Sequence, residues 1–365
     1  MRSEAVGVVD FPTLGDLVDA WIEQHCFVPG GVLRGKPFHQ YDWQFWCTAN
    51  HYRIREDAVW AGVPILNQAF TYRRSQVVAP QKTGKGPWTA CLAAVEAVGP
   101  STFAGWAKRG EAYRCEDFGC SCGWAFDYEP GEPKGMRHPS PLIQITATSE
   151  EQADKNVYGP LRAMIPRGPL KHLLLPREGF TRIVGEHEDD PDADRIDVVT
   201  ASANSKLGNP ISMAFQDETG LYTKHNKMRK VAETQRRGAA GMGGRTLETS
   251  NAWDPSEDSV AQSTYEAATD DVFRFWRNPD VAPSLRGPDG KPLSYSTKAN
   301  RRKIHAYVYD GSDHVNLDSI EAEAAELALT DPAQAERFFG NRVVAGGGAW
   351  LPEGLFESRR ADVAA

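Results

Sequence analysis

Residues 77–98 constrain the fold more than any other stretch. Val77-Val78-Ala79 is an apolar strand, Pro80-Gln81-Lys82-Thr83-Gly84-Lys85-Gly86 is a turn built on glycine and lysine, and Trp88–Val98 has a helical pattern. A strand that feeds such a turn at the start of a helix is the layout of a phosphate-binding loop. Backbone N–H groups at a helix N-terminus point at an anion, and a lysine neutralises the terminal phosphates. The usual spacing, G-x-x-x-x-G-K-[ST], is met in part. Ala79 stands where the first glycine belongs, and Gly86 stands where a Mg²⁺-binding hydroxyl belongs. Taken alone, the segment also fits a strand-turn-helix with a glycine bend.

A second segment answers the first. Ile211-Ser212-Met213-Ala214-Phe215-Gln216 is an apolar strand that ends in Asp217-Glu218. Two carboxylates at a strand's C-terminal end suit hydrolysis of a nucleoside triphosphate, with Asp217 in the Mg²⁺ shell and Glu218 polarising the attacking water. A buried strand leaving for solvent can end this way by chance, but the two motifs in this order point to a P-loop ATPase. Arg245-Thr246-Leu247-Glu248-Thr249-Ser250-Asn251 reads as a neighbouring strand that presents Thr249, Ser250 and Asn251 near a γ-phosphate; it also fits a strand followed by a turn.

The chain has 365 residues, enough for one large α/β domain or two smaller ones, and 41% hydrophobic content supports a sizeable core. Further strands are expected at Gln76–Ala79, Ile143–Thr148, Asp197–Ala201 and Ile304–Tyr309. Helices are expected at Asp16–His25, Tyr41–Ile54, Ser149–Met164, Ser256–Ala268, Asp318–Leu329 and Pro332–Phe339, with Gly185–Arg195 a solvated turn and Ser284–Lys303 a loop. Alternating strands and helices predict an α/β fold of P-loop NTPase type (ASCE class), with a mostly parallel sheet covered on both faces and a small helical lid. The expected division is 1–70 helical, 71–254 ATPase core, 255–350 helical lid and 351–365 tail.

A net charge of −8 gives no global case for nucleic acid, so DNA contact must come from a local basic surface. The segment from Lys224 through Lys227, Arg229 and Lys230 to Arg236-Arg237 is such a surface on a helical pattern; it also fits an ordinary solvated face. No apolar run is long enough to span a membrane, and the first ten residues carry no signal-peptide pattern. Six scattered cysteines point to free thiols in a reducing cytoplasm. Cys115, Cys120 and Cys122, with His138, make a Cys₃His zinc site conceivable, but C-x4-C-x-C is not a usual ligand spacing, and free thiols in a surface hairpin are expected.

With these residues in place the chain resembles the large terminase subunit of tailed bacteriophages. Pro37-Phe38-His39-Gln40-Tyr41-Asp42-Trp43-Gln44 looks like its glutamine motif, and Pro80 to Gly86 is similar to its variant Walker A loop. Ile143 to Gln152 looks like its next core strand and helix, Phe215 to Thr219 resembles Walker B, and Thr249-Ser250-Asn251 resembles the coupling motif. Glu336 to Arg342 looks like the closing helix. The resemblance implies an ATPase that drives double-stranded DNA into a procapsid. ATP and Mg²⁺ would be its cofactors. A portal protein, a small terminase subunit and further copies in a homo-oligomeric ring would be its partners, in the cytoplasm of the infected host and outside the mature virion.

It also implies roles. Gln44, or Gln40, would bond the adenine edge. Pro80, Gln81, Lys82, Thr83, Gly84 and Gly86 would line the phosphates, and Lys85 would pair with them. Asp217 would hold Mg²⁺ through water, with Thr83 or Thr89 replacing the hydroxyl missing at Gly86. Glu218 would activate water, and Thr249 to Asn251 would couple hydrolysis to motion. Lys82 is a second loop cation. A neighbouring subunit would donate Arg195, Lys206, Arg229, Arg236 or Arg237 to the site. The chain ends at Ala365, just past Trp350-Leu351-Pro352 and Phe356-Glu357, where the family usually carries a nuclease domain, so no DNA cleavage is expected. The alternatives are another nucleic-acid-translocating ATPase of helicase type and a non-hydrolysing nucleotide-binding module.

Overall fold

The computed structural model describes residues 6–62, 68–185, 190, 193–201, 210–241, 243–267 and 269–346. Lys206, the Gly347-Gly348 pair and the tail from Trp350 onward lie outside them, as does part of the 185–195 turn.

Two helices, α1 (Gly15–His25) and α2 (Asp42–His51), precede the sheet, and α1 buries Leu17, Val18, Trp21 and Ile22 on one helical stripe. β1 (Arg74–Val78) leads into α3 (Lys85–Val98), which is buried along most of its length. An excursion follows: β2 (Thr102–Trp106) pairs antiparallel with β5 (Pro133–Met136), and between them β3 (Ala112–Arg114) pairs with β4 (Ala125–Asp127). Next come β6 (Leu142–Thr146), α4 (Glu150–Asn156), α5 (Tyr158–Met164), β7 (Leu174–Arg177), β8 (Phe180–Ile183), β9 (Arg195–Val199) and β10 (Met213–Asp217). The chain continues through α6 (Met228–Gly241), β11 (Arg245–Ser250), α7 (Val260–Glu266), β12 (Val272–Trp276), α8 (Lys298–Val308), α9 (Leu317–Thr330) and α10 (Pro332–Gly340).

Among the described residues one eight-stranded sheet has the order β12-β1-β11-β10-β6-β9-β8-β7. The six strands from β12 to β9 are parallel, and β8 and β7 close the far edge antiparallel. β11 therefore lies between the strand that enters the glycine-lysine loop and the strand that ends in Asp217, so all three C-terminal ends open on one edge. This is the α/β P-loop architecture expected from the sequence.

β11 is buried at every position although it reads Arg-Thr-Leu-Glu-Thr-Ser. Each charge on it has a partner. Arg245 meets Glu96 of α3 at 3.0 Å and donates to the His51 carbonyl of α2 at 2.5 Å; Glu248 accepts from Gln76 at 2.9 Å and from Arg236 at 3.0 Å. Buried charge is tolerated when it is paired and hydrogen-bonded.

Several expectations fail. The strand expected at Ile304–Tyr309 is the C-terminal part of α8, whose N-terminus is capped by Thr297, with Arg301, Ile304, His305 and Val308 buried at helical spacing. The loop expected to Lys303 accordingly gives way to helix at Lys298. Ser149–Met164 is two helices broken at Val157 (φ −123°, ψ −55°). β12 lies beyond residue 254 yet adds parallel to β1, so the main sheet takes a strand from the stretch read as a helical lid. Helices α8 to α10 do gather their own core around Tyr295, Ile304 and Phe339. Cys115 and Cys120 are not surface thiols. They are buried, and they face His25 of α1 rather than His138, whose ring accepts the Ser140 N–H. No described helix is long and apolar enough to cross a membrane.

Candidate active site

The loop between β1 and α3 turns on two left-handed residues, Lys82 (φ 68°) and Gly84 (φ 91°), the second capping α3. Glycine tolerates that conformation; a lysine there stores strain, which the surroundings must hold. They do so from several sides. The Thr83 hydroxyl donates to the Pro80 carbonyl at 3.0 Å, the Gln81 N–H donates to the Phe338 carbonyl of α10 at 2.9 Å, and His314 Nε2 bonds the Lys82 carbonyl at 2.9 Å. Gln44 Nε2 reaches the Gly84 carbonyl at 3.4 Å.

Lys85 is buried and folds back across this loop. Its ammonium donates to the carbonyls of Ala79 (2.6 Å) and Pro80 (2.9 Å) and to Asn251 Oδ1 (3.0 Å). Burial pulls its pKa down, while the carboxylates of Glu218 and Asp217 oppose that and Lys82 adds to it. Lys82 itself is exposed.

Asp217 ends β10, 3% exposed, and accepts from Thr249 Oγ1 at 2.7 Å and from Asn156 Nδ2 at 2.8 Å. Glu218 follows in the left-handed region (φ 59°, ψ 46°) and accepts from Asn251 Nδ2 at 2.9 Å. Burial pushes the Glu218 carboxyl up to about 7; Lys85 draws it back and Asp217 adds to the rise. Burial also raises Asp217, against its hydrogen bonds from Thr249 and Asn156. The Asn251 amide thus joins the buried ammonium to the carboxylate of Glu218. Ser250 Oγ accepts the Gly220 N–H at 2.8 Å and fixes the turn after Glu218.

These groups line one cleft of about 490 Å³. Gln81, Lys82, Gly84, Lys85, Gly86, Asp217, Glu218 and Asn251 reach it, together with Lys155, Asn156, His314 and Phe338, which the sequence did not mark. Thr249 stands behind Asp217. Gln44 is 1% exposed, its amide held by the Gly84 carbonyl and the Tyr41 N–H, and the Gln40 amide is bonded to Asp19, Thr48 and Trp88. Neither glutamine lines the cleft. Thr83 and Thr89 are both buried away from it, and the Thr89 hydroxyl has no partner.

Gly86 has a local cause. A Cβ at this position would lie 2.0 Å from the Asn156 carbonyl of α4, so no hydroxyl-bearing residue fits without moving that helix. The same Asn156 supplies the amide on Asp217.

Lys206 lies outside the described residues, and the four arginines expected to serve a neighbour have partners within this chain. Arg195 meets Asp197 at 3.1 Å, Arg229 meets Asp258 at 2.9 Å, and Arg236 meets Glu248 at 3.0 Å. Arg237 is exposed and donates to Thr234 at 3.0 Å. Along the same segment Lys224, Lys227 and Lys230 are exposed.

No family model and no curated protein matches the chain. Among solved structures it is similar to the large terminase of bacteriophage HK97, with 16% identity, 91% of this chain and 55% of that chain covered, and a TM-score of 0.58. Weaker likenesses are to the large terminase of a thermophilic bacteriophage in complex with ADP (8% identity, 75% and 49% covered, TM-score 0.41) and to the ATPase domain of a Thermus phage large terminase (13%, 76% and 91%, 0.40). The chain thus shares the fold of the matched part of the HK97 large terminase and spans about half that protein's length.

Proposed function

We propose that this chain binds ATP in the cleft above β1, β10 and β11 and hydrolyses it, as the motor part of a phage DNA-packaging terminase. The observation that carries the reading is the convergence of the Lys85 ammonium, the Asp217-Glu218 pair and the Asn251 amide at one sheet edge. The N-terminus of α3 and Lys85 supply positive charge for the phosphates. Glu218, with a carboxyl near 7, suits a general base, because a base is most effective when its pKa lies close to the working pH.

The donor set fits Mg²⁺, which is held through water by one or two carboxylates and by substrate phosphates rather than by an all-protein cage. Asp217, with Glu218 beside it and the Asn156 amide in reach, would hold it. When bound, Mg²⁺ would neutralise charge building on the transferred phosphoryl group. Lys85 would trade loop carbonyls for phosphate oxygens. That exchange would release the Asn251 Oδ1 contact and leave the amide free to report on Glu218, a route for coupling through Thr249, Ser250 and Asn251. His314, in the turn between α8 and α9, and Phe338 of α10 bond the loop, so a rearranged loop would pull on that unit. An adenine contact by Gln44 would require it to give up one of its present bonds.

The exposed lysines at 224, 227 and 230 would meet phosphates of double-stranded DNA. A portal protein, a small terminase subunit and a ring of further copies would complete the motor in the infected cell's cytoplasm. The test is phosphate release from ATP, with nucleotide binding measured with and without Mg²⁺. Binding without turnover, in monomer and in assembled form, would leave the fold without this chemistry.

A further inference from the structure

The excursion between α3 and β6 carries a second cluster, far in sequence from the cleft residues. The chain turns through a short 3₁₀ helix at Cys115–Phe118, a left-handed Gly119 (φ 83°) and a left-handed Gly123 (φ 76°). These turns aim the sulfurs of Cys115, Cys120 and Cys122 at one point. His25, at the last turn of α1, meets them there. His25 Nε2 lies 3.3 Å from Cys115 Sγ, 3.7 Å from Cys120 Sγ and 3.4 Å from Cys122 Sγ, and the four ligand atoms lie within 4.8 Å of one another.

We propose that His25, Cys115, Cys120 and Cys122 bind one structural Zn²⁺ ion, independently of whether the chain hydrolyses ATP. Three lines support it. First, the distances match. Zinc–sulfur bonds of about 2.3 Å and zinc–nitrogen bonds of about 2.0 Å in a tetrahedron separate nitrogen from sulfur by about 3.5 Å. Second, hydrogen bonding alone does not account for the arrangement. His25 Nδ1 bonds the Trp21 carbonyl at 2.8 Å, which places the ring proton on Nδ1 and leaves a single lone pair on Nε2 facing three sulfurs. One thiol can donate to that lone pair; a cation satisfies all four groups. A second ring nitrogen held by a carbonyl is also the usual support of a metal-bound histidine.

Third, the pocket is built. His25 is fully buried, stacked on Trp21 at 4.2 Å and edge-on to Trp124 at 5.8 Å, and Cys115 and Cys120 are 1% and 5% exposed. On binding, the three thiols release their protons to solvent and the sulfurs become thiolates. Thiolates with one imidazole favour zinc among common divalent ions, and four protein ligands leave no open position for catalysis. The ion would pin the β3–β4 hairpin to α1, a helix 90 residues earlier in the chain.

The test is metal analysis of the full chain, purified without chelators or metal-affinity steps. The expected content is one zinc per chain. Cys122→Ser, at the least buried ligand, should lower it at least tenfold, whereas His138→Ala should retain it. Should Cys122→Ser fail to fold, Co²⁺ loaded into the wild-type chain should give the intense visible absorption of a tetrahedral thiolate site. Wild-type protein without zinc after refolding in zinc, iron in its place, an unchanged content in Cys122→Ser, or a disulfide among the three cysteines would each overturn the proposal.

Discussion

Replacing Glu218 by glutamine separates the cost of its charge from its chemistry. A rise of its carboxyl pKa from 4.5 to about 7 disfavours the ionised form in the folded chain by roughly 3 kcal/mol. The sign follows from the direction. A carboxyl raised on folding contributes its stability below 4.5, and that contribution is lost as pH rises through about 7. At pH 8 the native chain therefore bears the full cost, and the neutral amide does not. Glutamine can still accept the Asn251 amide, but Lys85 loses an attractive neighbour. The net gain for Glu218→Gln should then be about 1–3 kcal/mol at pH 8 and below about 1 kcal/mol at pH 5. Turnover should fall by a factor on the order of 10² or more, with nucleotide affinity nearly kept. Urea unfolding of both proteins at the two pH values, beside phosphate release at saturating ATP, reads both effects. Equal turnover would refute the base assignment. A stability difference that ignores pH would refute the charge argument.

Gly86→Ser restores the hydroxyl of the usual motif, yet its Cβ would press on the Asn156 carbonyl; nucleotide affinity should fall, and a gain would show that α4 yields freely. Lys85→Ala should abolish nucleotide binding, whereas Lys82→Ala should mainly slow hydrolysis; loss of binding from Lys82→Ala alone would redraw the loop register. Glu96→Ala strands the buried Arg245, so unfolding free energy should drop by about 3–5 kcal/mol, checked by chemical denaturation. If a neighbour completes the site, specific ATPase activity should rise with protein concentration alongside the measured mass, since such a cation contributes about 10³-fold or more in rate; a fully active monomer would leave a self-contained enzyme.

The elements read correctly from sequence each carry a local signature. β1 and α3 flank a glycine-lysine turn, β10 ends in paired carboxylates, and α10 starts at Asp331-Pro332 with the Asp331 side chain accepting the Gln334 N–H. The elements missed are those whose state is set by partners. β12 reads Val-Phe-Arg-Phe-Trp and becomes a strand by lying against β1, while β7 and β8 are short and pair antiparallel at the far edge. Ile304–Val308 has an apolar alternation that suits a strand, but its burial repeats with helical period once α9 and α10 pack on it. The cysteine triad was visible because its members are close in sequence. Its histidine partner was not, because nothing in a lone His25 at a helix end announces contacts made by tertiary packing.

Gly86 shows the limit most plainly. As a letter in a motif it reads as a lost metal ligand. In space it is the position over which the Asn156 carbonyl closes, and the Asn156 side chain meets Asp217 from the same helix end. The glycine and the asparagine are two halves of one arrangement. The missing side chain lets α4 approach, and the approach brings an amide to the carboxylate that the missing hydroxyl would otherwise have neighboured. A serine at 86 with α4 in place is sterically excluded. The need for glycine at 86 is therefore set by an element some 70 residues downstream, which no reading confined to the loop can supply.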